Sequence, residues 1–281
     1  MLTNIINGKN ILYLTKKKIF NNLNLFQYVR NPGLAIINIG ENEASKIYVY
    51  EKKKACISAG INFDLFNLKS SISQVYCVKL VEMLNRIKWI DGILIQLPLP
   101  FHVKLDNLSR KISIKKDIDG FHPYNFGNLS MGYESIVPCT CLAVVKILKN
   151  MNKKVESSCV VIIGSSNIVG KPIALELLVM NATVIICNKY TSNLEFYINL
   201  ADILIIAVGK AGFISNRWIK DTTIVIDIGI NRKDNGKVVG DFFIKDKFSK
   251  PIIITSVPGG IGPLTISSLL HNTFNSFVES R

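Results

Sequence analysis

Short apolar runs separated by amphipathic stretches set the pattern of this chain. Leu34 to Ile39 is almost wholly apolar and reads as a buried strand, ended by Gly40. Glu43 to Ala59 has helical periodicity and stops at Gly60. A strand over 61–68, a helix over 72–89 and a strand over 91–96 follow, the last closed by Leu97-Pro98-Leu99-Pro100. Ahead of these, residues 5–30 read as a rather polar amphipathic helix up to the Pro32-Gly33 turn.

The second half repeats the alternation. Residues 115–138, rich in Asp, Gly, Pro and Asn, read as an interdomain loop, and a helix is expected at about 140–150. Strands are expected at 159–163, 182–187, 203–208, 224–228 and 252–256, with a helix inside 170–180 and a closing helix over 265–278. Strands alternating with helices predict parallel sheets covered on both faces. The expectation is α/β: two α/β domains around a cleft, the second Rossmann-like. Residues 1–120 plus 265–281 would form the first, 138–264 the second, and 121–137 the connection.

Composition narrows the function classes. The 281 residues are 48% hydrophobic and 19% charged, which suits packed cores and excludes a disordered chain. No apolar run reaches the roughly 18–20 residues of a membrane span, and the N-terminal stretch lacks the pattern of a secretory leader, so a cytoplasmic location is expected. Six cysteines form no CxxC pair and only three histidines exist, so no metal site is expected. The net charge is +14, but 28 of the 34 basic residues are lysines and they are scattered. A nucleic-acid face would cluster its charge and favour arginine, so no nucleic-acid partner is expected. An anionic small substrate, or compositional drift toward Asn, Ile and Lys, accounts for the charge equally well.

Candidate chemistry begins at Gly164-Ser165-Ser166-Asn167-Ile168-Val169-Gly170, which follows a strand and opens a helix. Gly164 would permit the tight turn and Gly170 the close helix–sheet approach, with backbone N–H groups facing a pyrophosphate. A plain structural turn remains the alternative. The next strand ends in Cys187-Asn188-Lys189-Tyr190-Thr191, where NAD-binding proteins usually carry a carboxylate for the ribose 2′-hydroxyl. None is present, and Lys189 with Ser165, Ser166 and Thr191 would suit a 2′-phosphate, so NADP is expected over NAD. Lys189 as an ordinary solvated lysine is the competing reading.

Ser45 to Ala55, Asp91 to Pro100, Lys116 to Asn125, Gly164 to Pro172 and Val257 to Thr265 stand in register along the chain. Together these five segments resemble one family, the bifunctional methylenetetrahydrofolate dehydrogenase/methenyltetrahydrofolate cyclohydrolases, closest to the bacterial two-activity enzymes. Independently of the name, Ser45, Tyr48 and Lys52 fall at i, i+3 and i+7 on one helix face. A lysine whose pKa is depressed can move protons near neutral pH; Lys54 is the rival for that part.

The resemblance implies oxidation of 5,10-methylenetetrahydrofolate with NADP, then hydrolysis of the methenyl product to 10-formyltetrahydrofolate, in one-carbon and purine metabolism. It implies Lys52 as general acid or base, Gln96 as its orienting partner, Tyr48 as the ring stacker and Asp119 as the pterin anchor. Ser45 and Pro258-Gly259-Gly260 would also meet the substrate. Gly164, Ser165, Ser166, Asn167, Ile168, Gly170, Lys189, Thr191, Gly209 and Ile230 would meet the cofactor, and the protein would be a homodimer. Departures occur: Cys141 and Ala143 stand where the family commonly has Pro and Gly, Ser165 where it often has Arg, Asn188 where it has His, and Thr255-Ser256 where it usually has Thr-Pro. A dehydrogenase without the cyclohydrolase step is the second expectation, and a basic RNA-binding protein the third.

Overall fold

A computed structural model describes residues 4–26, 28–151, 154–245 and 253–280. In chain order the first elements are β1 (Asn4–Ile6), α1 (Lys9–Leu25), β2 (Gly33–Ile39), α2 (Glu43–Ala59), β3 (Asn62–Leu68), α3 (Gln74–Arg86) and β4 (Gly92–Ile95). Then come α4 (Leu105–Ser109), α5 (Pro123–Met131), α6 (Cys139–Asn150), β5 (Cys159–Ile163), α7 (Gly170–Val179), β6 (Thr183–Cys187), α8 (Leu194–Leu200) and β7 (Ile203–Ile206). The remainder are β8 (Ile214–Ser215), β9 (Ile224–Asp227), β10 (Asn231–Arg232), β11 (Val238–Val239), β12 (Phe242–Phe243), β13 (Ile253–Thr255) and α9 (Ile261–Glu279). Among the described residues no helix is long and apolar enough to cross a membrane.

The chain divides into two compact units. One comprises Leu12–Cys139 with Ile266–Arg281. Its sheet is parallel, in the order β3-β2-β4. Every residue of β2 is buried, because helices cover both faces of this central strand. The strand's two-residue period sorts its side chains. Leu34 and Ile36 pack with Val49, Ala55, Cys56 and Ala59 of α2 and with Leu269, Leu270 and Phe277 of α9. Ala35, Ile37 and Ile39 pack with Cys77, Leu80, Val81 and Leu84 of α3.

The other unit comprises Met1–Ile11 with Thr140–Thr265. Its main sheet has six parallel strands in the order β1-β13-β9-β7-β5-β6. From β5 the chain moves to β6 on one side and then to β7 on the other, so the order reverses at β5. In doubly wound sheets that reversal opens a crevice beyond the carboxyl ends of the strands, where ligands bind. The pairs β10-β11 and β12-β8 are minor additions.

Two expectations need correction. Residues 5–30 are not one helix: Asn4–Ile6 form β1, which pairs in parallel with β13, and the helix starts at Lys9. The described residues 4–11 therefore fall in the unit of Thr140–Thr265 rather than with 12–120. A three-residue strand has no periodicity of its own, and its partner lies about 250 residues away. Residues 115–138 are not all loop, since α5 spans Pro123–Met131. Its helix-breaking residues sit at the ends, where they belong: Pro123 in the first turn, and Gly132 in the left-handed conformation at φ 71° after the last. The His122 ring accepts the Tyr124 N–H as an N-cap.

Candidate active site

The first candidate site lies wholly in the Leu12–Cys139 unit. Asn42 caps α2 by accepting the Ser45 N–H at 3.0 Å, which starts the helix where Ser45, Tyr48 and Lys52 share a face. Gln96 stands just beyond β4, its backbone N–H held by Ile37 O of β2. Its side-chain Oε1 accepts from Lys52 Nζ at 2.9 Å, and its Nε2 donates to Leu97 O at 2.8 Å. With both amide ends engaged, the oxygen is committed to the lysine. The Ser45 hydroxyl donates to the same Leu97 carbonyl at 3.2 Å, and Ser45 is buried. Ser45 thus braces the strand-end turn, with its own hydroxyl proton already directed to protein. Tyr48 is half-buried on the same helix face.

Asp119 reaches this site from a loop that is closely tied. Asp117 accepts the N–H groups of Phe121 and His122 and the Asn125 amide, at 3.2, 2.8 and 2.8 Å. Gly120 adopts φ +67°, and a Cβ there would lie 2.5 Å from Ile136 O. Asn272 of α9 donates to Ile118 O at 2.9 Å and Val137 O at 3.0 Å. The Cys139 thiol donates to Ile118 O at 3.4 Å, with the Asp119 carboxylate as the alternative acceptor for its single proton.

Electrostatics at this site follow from burial. Lys52 and Asp119 are half-buried as whole residues, but protein crowds their charged ends. Desolvation pushes the Lys52 amine below the ordinary lysine range, with Asp119 partly opposing. Desolvation likewise raises the Asp119 carboxyl, opposed by Lys52 and by the Cys139 bond. Burial pushes the neighbouring Cys56 thiol up to about 12, so it stays protonated. An amine with lowered pKa, aimed by an amide and faced by a carboxylate, is equipped to take and return a proton.

The second candidate site is at the sheet reversal of the other unit. Gly164, at the carboxyl end of β5, has φ +121°, and a Cβ there would lie 2.3 Å from Ala207 O beyond β7. A Cβ on Gly170 would lie 1.8 Å from Gly164 O. Only glycine permits this turn and this approach. The Ser166 hydroxyl oxygen takes the Val169 and Gly170 N–H groups at 3.2 and 3.5 Å. The N–H groups of Ser165, Ser166, Asn167 and Ile168 meet no protein acceptor among the described residues. Glycine spacing with unspent donors ahead of a helix fits a dinucleotide's pyrophosphate.

After β6, Thr191 Oγ1 accepts the Asn188 N–H at 2.9 Å, and Lys189 Nζ lies 4.8 Å from the centre of the exposed Tyr190 ring. Gly209 follows β7 at φ +65° with open space where a Cβ would stand, and Ile230 is exposed beyond β9. The predicted cofactor positions therefore all stand at carboxyl ends of β5, β6, β7 and β9. The predicted substrate turn Pro258-Gly259-Gly260 is in this same unit, not in the unit of Lys52. It is braced by the N-terminal segment, with Gly8 N–H donating to Gly259 O at 2.8 Å.

Two family models account for nearly the whole chain: the catalytic domain of the tetrahydrofolate dehydrogenase/cyclohydrolases over residues 6–119, and their NAD(P)-binding domain over residues 138–281. The chain belongs to the tetrahydrofolate dehydrogenase/cyclohydrolase family. It is similar to the crystal structure of the bifunctional enzyme FolD, methylenetetrahydrofolate dehydrogenase/cyclohydrolase, of Campylobacter jejuni, at 40% identity and TM-score 0.95 over the full length of both chains. The methylenetetrahydrofolate dehydrogenase-cyclohydrolase of Trypanosoma brucei, solved with NADP cofactor and an inhibitor, matches at 32% identity and TM-score 0.93 over 99% of this chain and 98% of that one. The bifunctional enzyme of Thermoplasma acidophilum matches at 31% identity and TM-score 0.90 over 99% and 100%.

Within this dehydrogenase/cyclohydrolase fold, several residues that shape the sites escaped sequence reading. Asp117, Cys139 and Asn272 hold the Asp119 loop, and nothing in local spacing marks Cys139 or Asn272 for that part. Asp117 lies within the Lys116 to Asn125 segment, where the neighbouring Gly120 and Pro123 signal a tight turn. Among the described residues no group of three or more His, Cys, Asp or Glu side chains is placed to hold a metal ion.

Proposed function

We propose that this chain oxidises 5,10-methylenetetrahydrofolate to the 5,10-methenyl cation with NADP⁺ and hydrolyses that cation to 10-formyltetrahydrofolate. The observation that carries this reading is the 2.9 Å Lys52–Gln96 bond with Asp119 facing the amine, in a chain of this family.

Bound NADP⁺ supplies the hydride acceptor for the methylene carbon. The chain's residues then handle water and protons. Lys52, as the neutral amine, takes a proton from the water that adds to the methenyl carbon, and Gln96 keeps the amine aimed. That proton passes to the folate N5 as its bond to the carbon breaks, and the remaining water proton leaves the carbinol oxygen for the freed amine and then solvent, so that a neutral formyl group stays on N10. Asp119 accepts from N–H groups of the pterin and Tyr48 offers its ring face. Ser45 supports the turn that carries Gln96, while Pro258, Gly259 and Gly260 let backbone approach the substrate.

For the cofactor, Gly164 and Gly170 shape the turn around the pyrophosphate, which the N–H groups of Ser165, Ser166, Asn167 and Ile168 receive. Lys189 and Thr191 stand where a 2′-phosphate would be read, and Gly209 and Ile230 serve the far half of the dinucleotide. The Trypanosoma brucei relative's NADP complex supports NADP over NAD. Family resemblance supports a cytoplasmic homodimer that supplies formyl groups for purine synthesis, with no nucleic-acid or membrane partner; gel filtration and cell fractionation test the first two parts.

The deciding assay mixes purified protein with methylenetetrahydrofolate and either NADP⁺ or NAD⁺ and follows methenyl absorbance. Faster methenyl formation with NADP⁺ is expected, and a preference for NAD⁺ would overturn the Lys189 assignment. Supplied methenyltetrahydrofolate should hydrolyse above its spontaneous rate without cofactor. Hydrolysis at only the spontaneous rate would leave a dehydrogenase alone.

A further inference from the structure

Behind the cofactor positions lies a carboxylate that the proposed function does not use. Asp241, at the edge of β12, is fully buried. Its Oδ2 accepts the N–H groups of Val208 at 2.8 Å and Gly209 at 2.9 Å, and its Oδ1 accepts Asn231 Nδ2 at 2.8 Å. No lysine or arginine pairs with it among the described residues. A buried carboxylate without a cation is costly unless N–H donors surround it. Here those donors come from the loop after β7 and from the first residue of β10.

The surroundings are shaped for this carboxylate. A Cβ on Gly229 would lie 2.2 Å from Asp241 Oδ1. Asp227, at the end of β9, accepts the N–H groups of Gly229, Asp241 and Phe242 at 2.9, 3.1 and 2.9 Å. A Cβ on Gly240 would lie 1.9 Å from Asp227 Oδ2. Asp227 thus holds the Asp241 backbone, and the Asp241 side chain holds the loops that follow β7 and β9.

A dinucleotide straddles the point where strand order reverses. With pyrophosphate at Gly164 and the adenosine side toward β6, the nicotinamide half falls to the ends of β7 and β9. We infer that Asp241 is a positioning residue for the nicotinamide half of NADP, holding Val208-Gly209 and Asn231 in the arrangement the cofactor meets. Because the Gly209 N–H is turned inward to Asp241, Gly209 meets the cofactor through its bare Cα. This rests on the NADP reading above.

Three variants test it: Asp241→Ala, Asp241→Asn and Asn231→Ala. NADP⁺ affinity is read by calorimetric titration, the Val208 and Gly209 amides by hydrogen exchange, and cofactor-free cyclohydrolase activity with supplied methenyltetrahydrofolate. Asp241→Ala should weaken NADP⁺ binding about tenfold or more and speed exchange at both amides, because two N–H groups lose a charged acceptor. Its cofactor-free cyclohydrolase activity should stay within about twofold, the Lys52 site lying in the other unit. Asp241→Asn should recover most of the affinity, since its oxygen still accepts both N–H groups once the Asn231 amide turns over. Unchanged affinity in Asp241→Ala, or equal losses of affinity and cyclohydrolase activity, would overturn the inference. If Asp241→Ala does not fold, Asn231→Ala decides: about threefold weaker binding supports the role, and unaltered binding removes it. Absence of NADP⁺ binding by the unaltered protein would overturn the cofactor reading itself, and this inference with it.

Discussion

Around Lys52 the groups that do the work are side chains with charges to manage, whereas at the ends of β5 and β7 the site is shaped by backbone. Lys52, Gln96 and Asp119 come from a helix, a strand end and a loop, and their value lies in a lowered amine pKa and a fixed amide. Gly164, Gly170 and Gly209 contribute by what they lack: a Cβ that would strike carbonyl oxygen at the first two, or fill open space at the third. Proton transfer needs tuned titratable groups, while holding a dinucleotide for hydride transfer needs clearance and oriented N–H donors. Each region also has a buried carboxylate clasped by N–H groups that sets its loop, Asp117 in one and Asp227 in the other.

The sharpest way to break that contrast is at Lys52. Lys52→Ala should lower cyclohydrolase turnover by about 10²–10⁴-fold, the usual worth of a positioned acid–base group. Full retained activity would show that the amine is not the proton carrier. The rate for the unaltered protein should rise with pH through an inflection below the ordinary lysine value, because burial disfavours the ammonium. Asp119→Asn should move that inflection lower still, since the lost carboxylate no longer favours the charged amine.

On the backbone side, Gly164→Ala should weaken NADP⁺ binding by about tenfold to a hundredfold, from the close approach to Ala207 O and the positive φ. Titration of NADP⁺ measures this, and an affinity loss under twofold would show that the turn has room the structure denies.

The smallest effect is a pH drift in stability. Burial pushes the Asp117 carboxyl up to about 7 and Asp227 to about 6. Both lie above the unfolded value, so the stability each contributes is present below pH 4 and is lost as pH rises through the folded value. Melting temperature should drift down between pH 4 and 7 from these groups. Asp227→Asn should shallow the drift only below about pH 6, whereas Asp117→Asn should shallow it there and also remove the part between about 6 and 7. A profile identical to that of the unaltered protein in both variants would remove the carboxylates as its cause.

Much of the architecture was legible in the chain. The apolar run 34–39, the glycine turn at 164–170 and the alternation of strands and helices each have a local physical signature, and each formed the element expected. Lys52 and Gln96 were singled out by helix-face spacing, strand-end position and family motif. Other parts had no local signature. β1 is three residues long and exists as a strand only against β13. α5 looked like a loop because its Pro and Gly count as breakers until their places at its two ends are known. Asp241 and Asn272 are a strand-edge aspartate and a helix asparagine, unremarkable until their partners at Val208, Gly209, Ile118 and Val137 are in view.

By itself, then, the order of residues determined which segments fold into helices and strands and which functional groups are available, because periodicity, caps and turn residues act over a few neighbours. Which of those groups meet was decided only in three dimensions. The Lys52–Gln96 bond spans 44 positions, and the Asn272 bond to Ile118 spans 154. Such meetings arise when sheets and helices bury their apolar faces together, and the stabilisation comes from the whole core rather than from any stretch that a local pattern can mark.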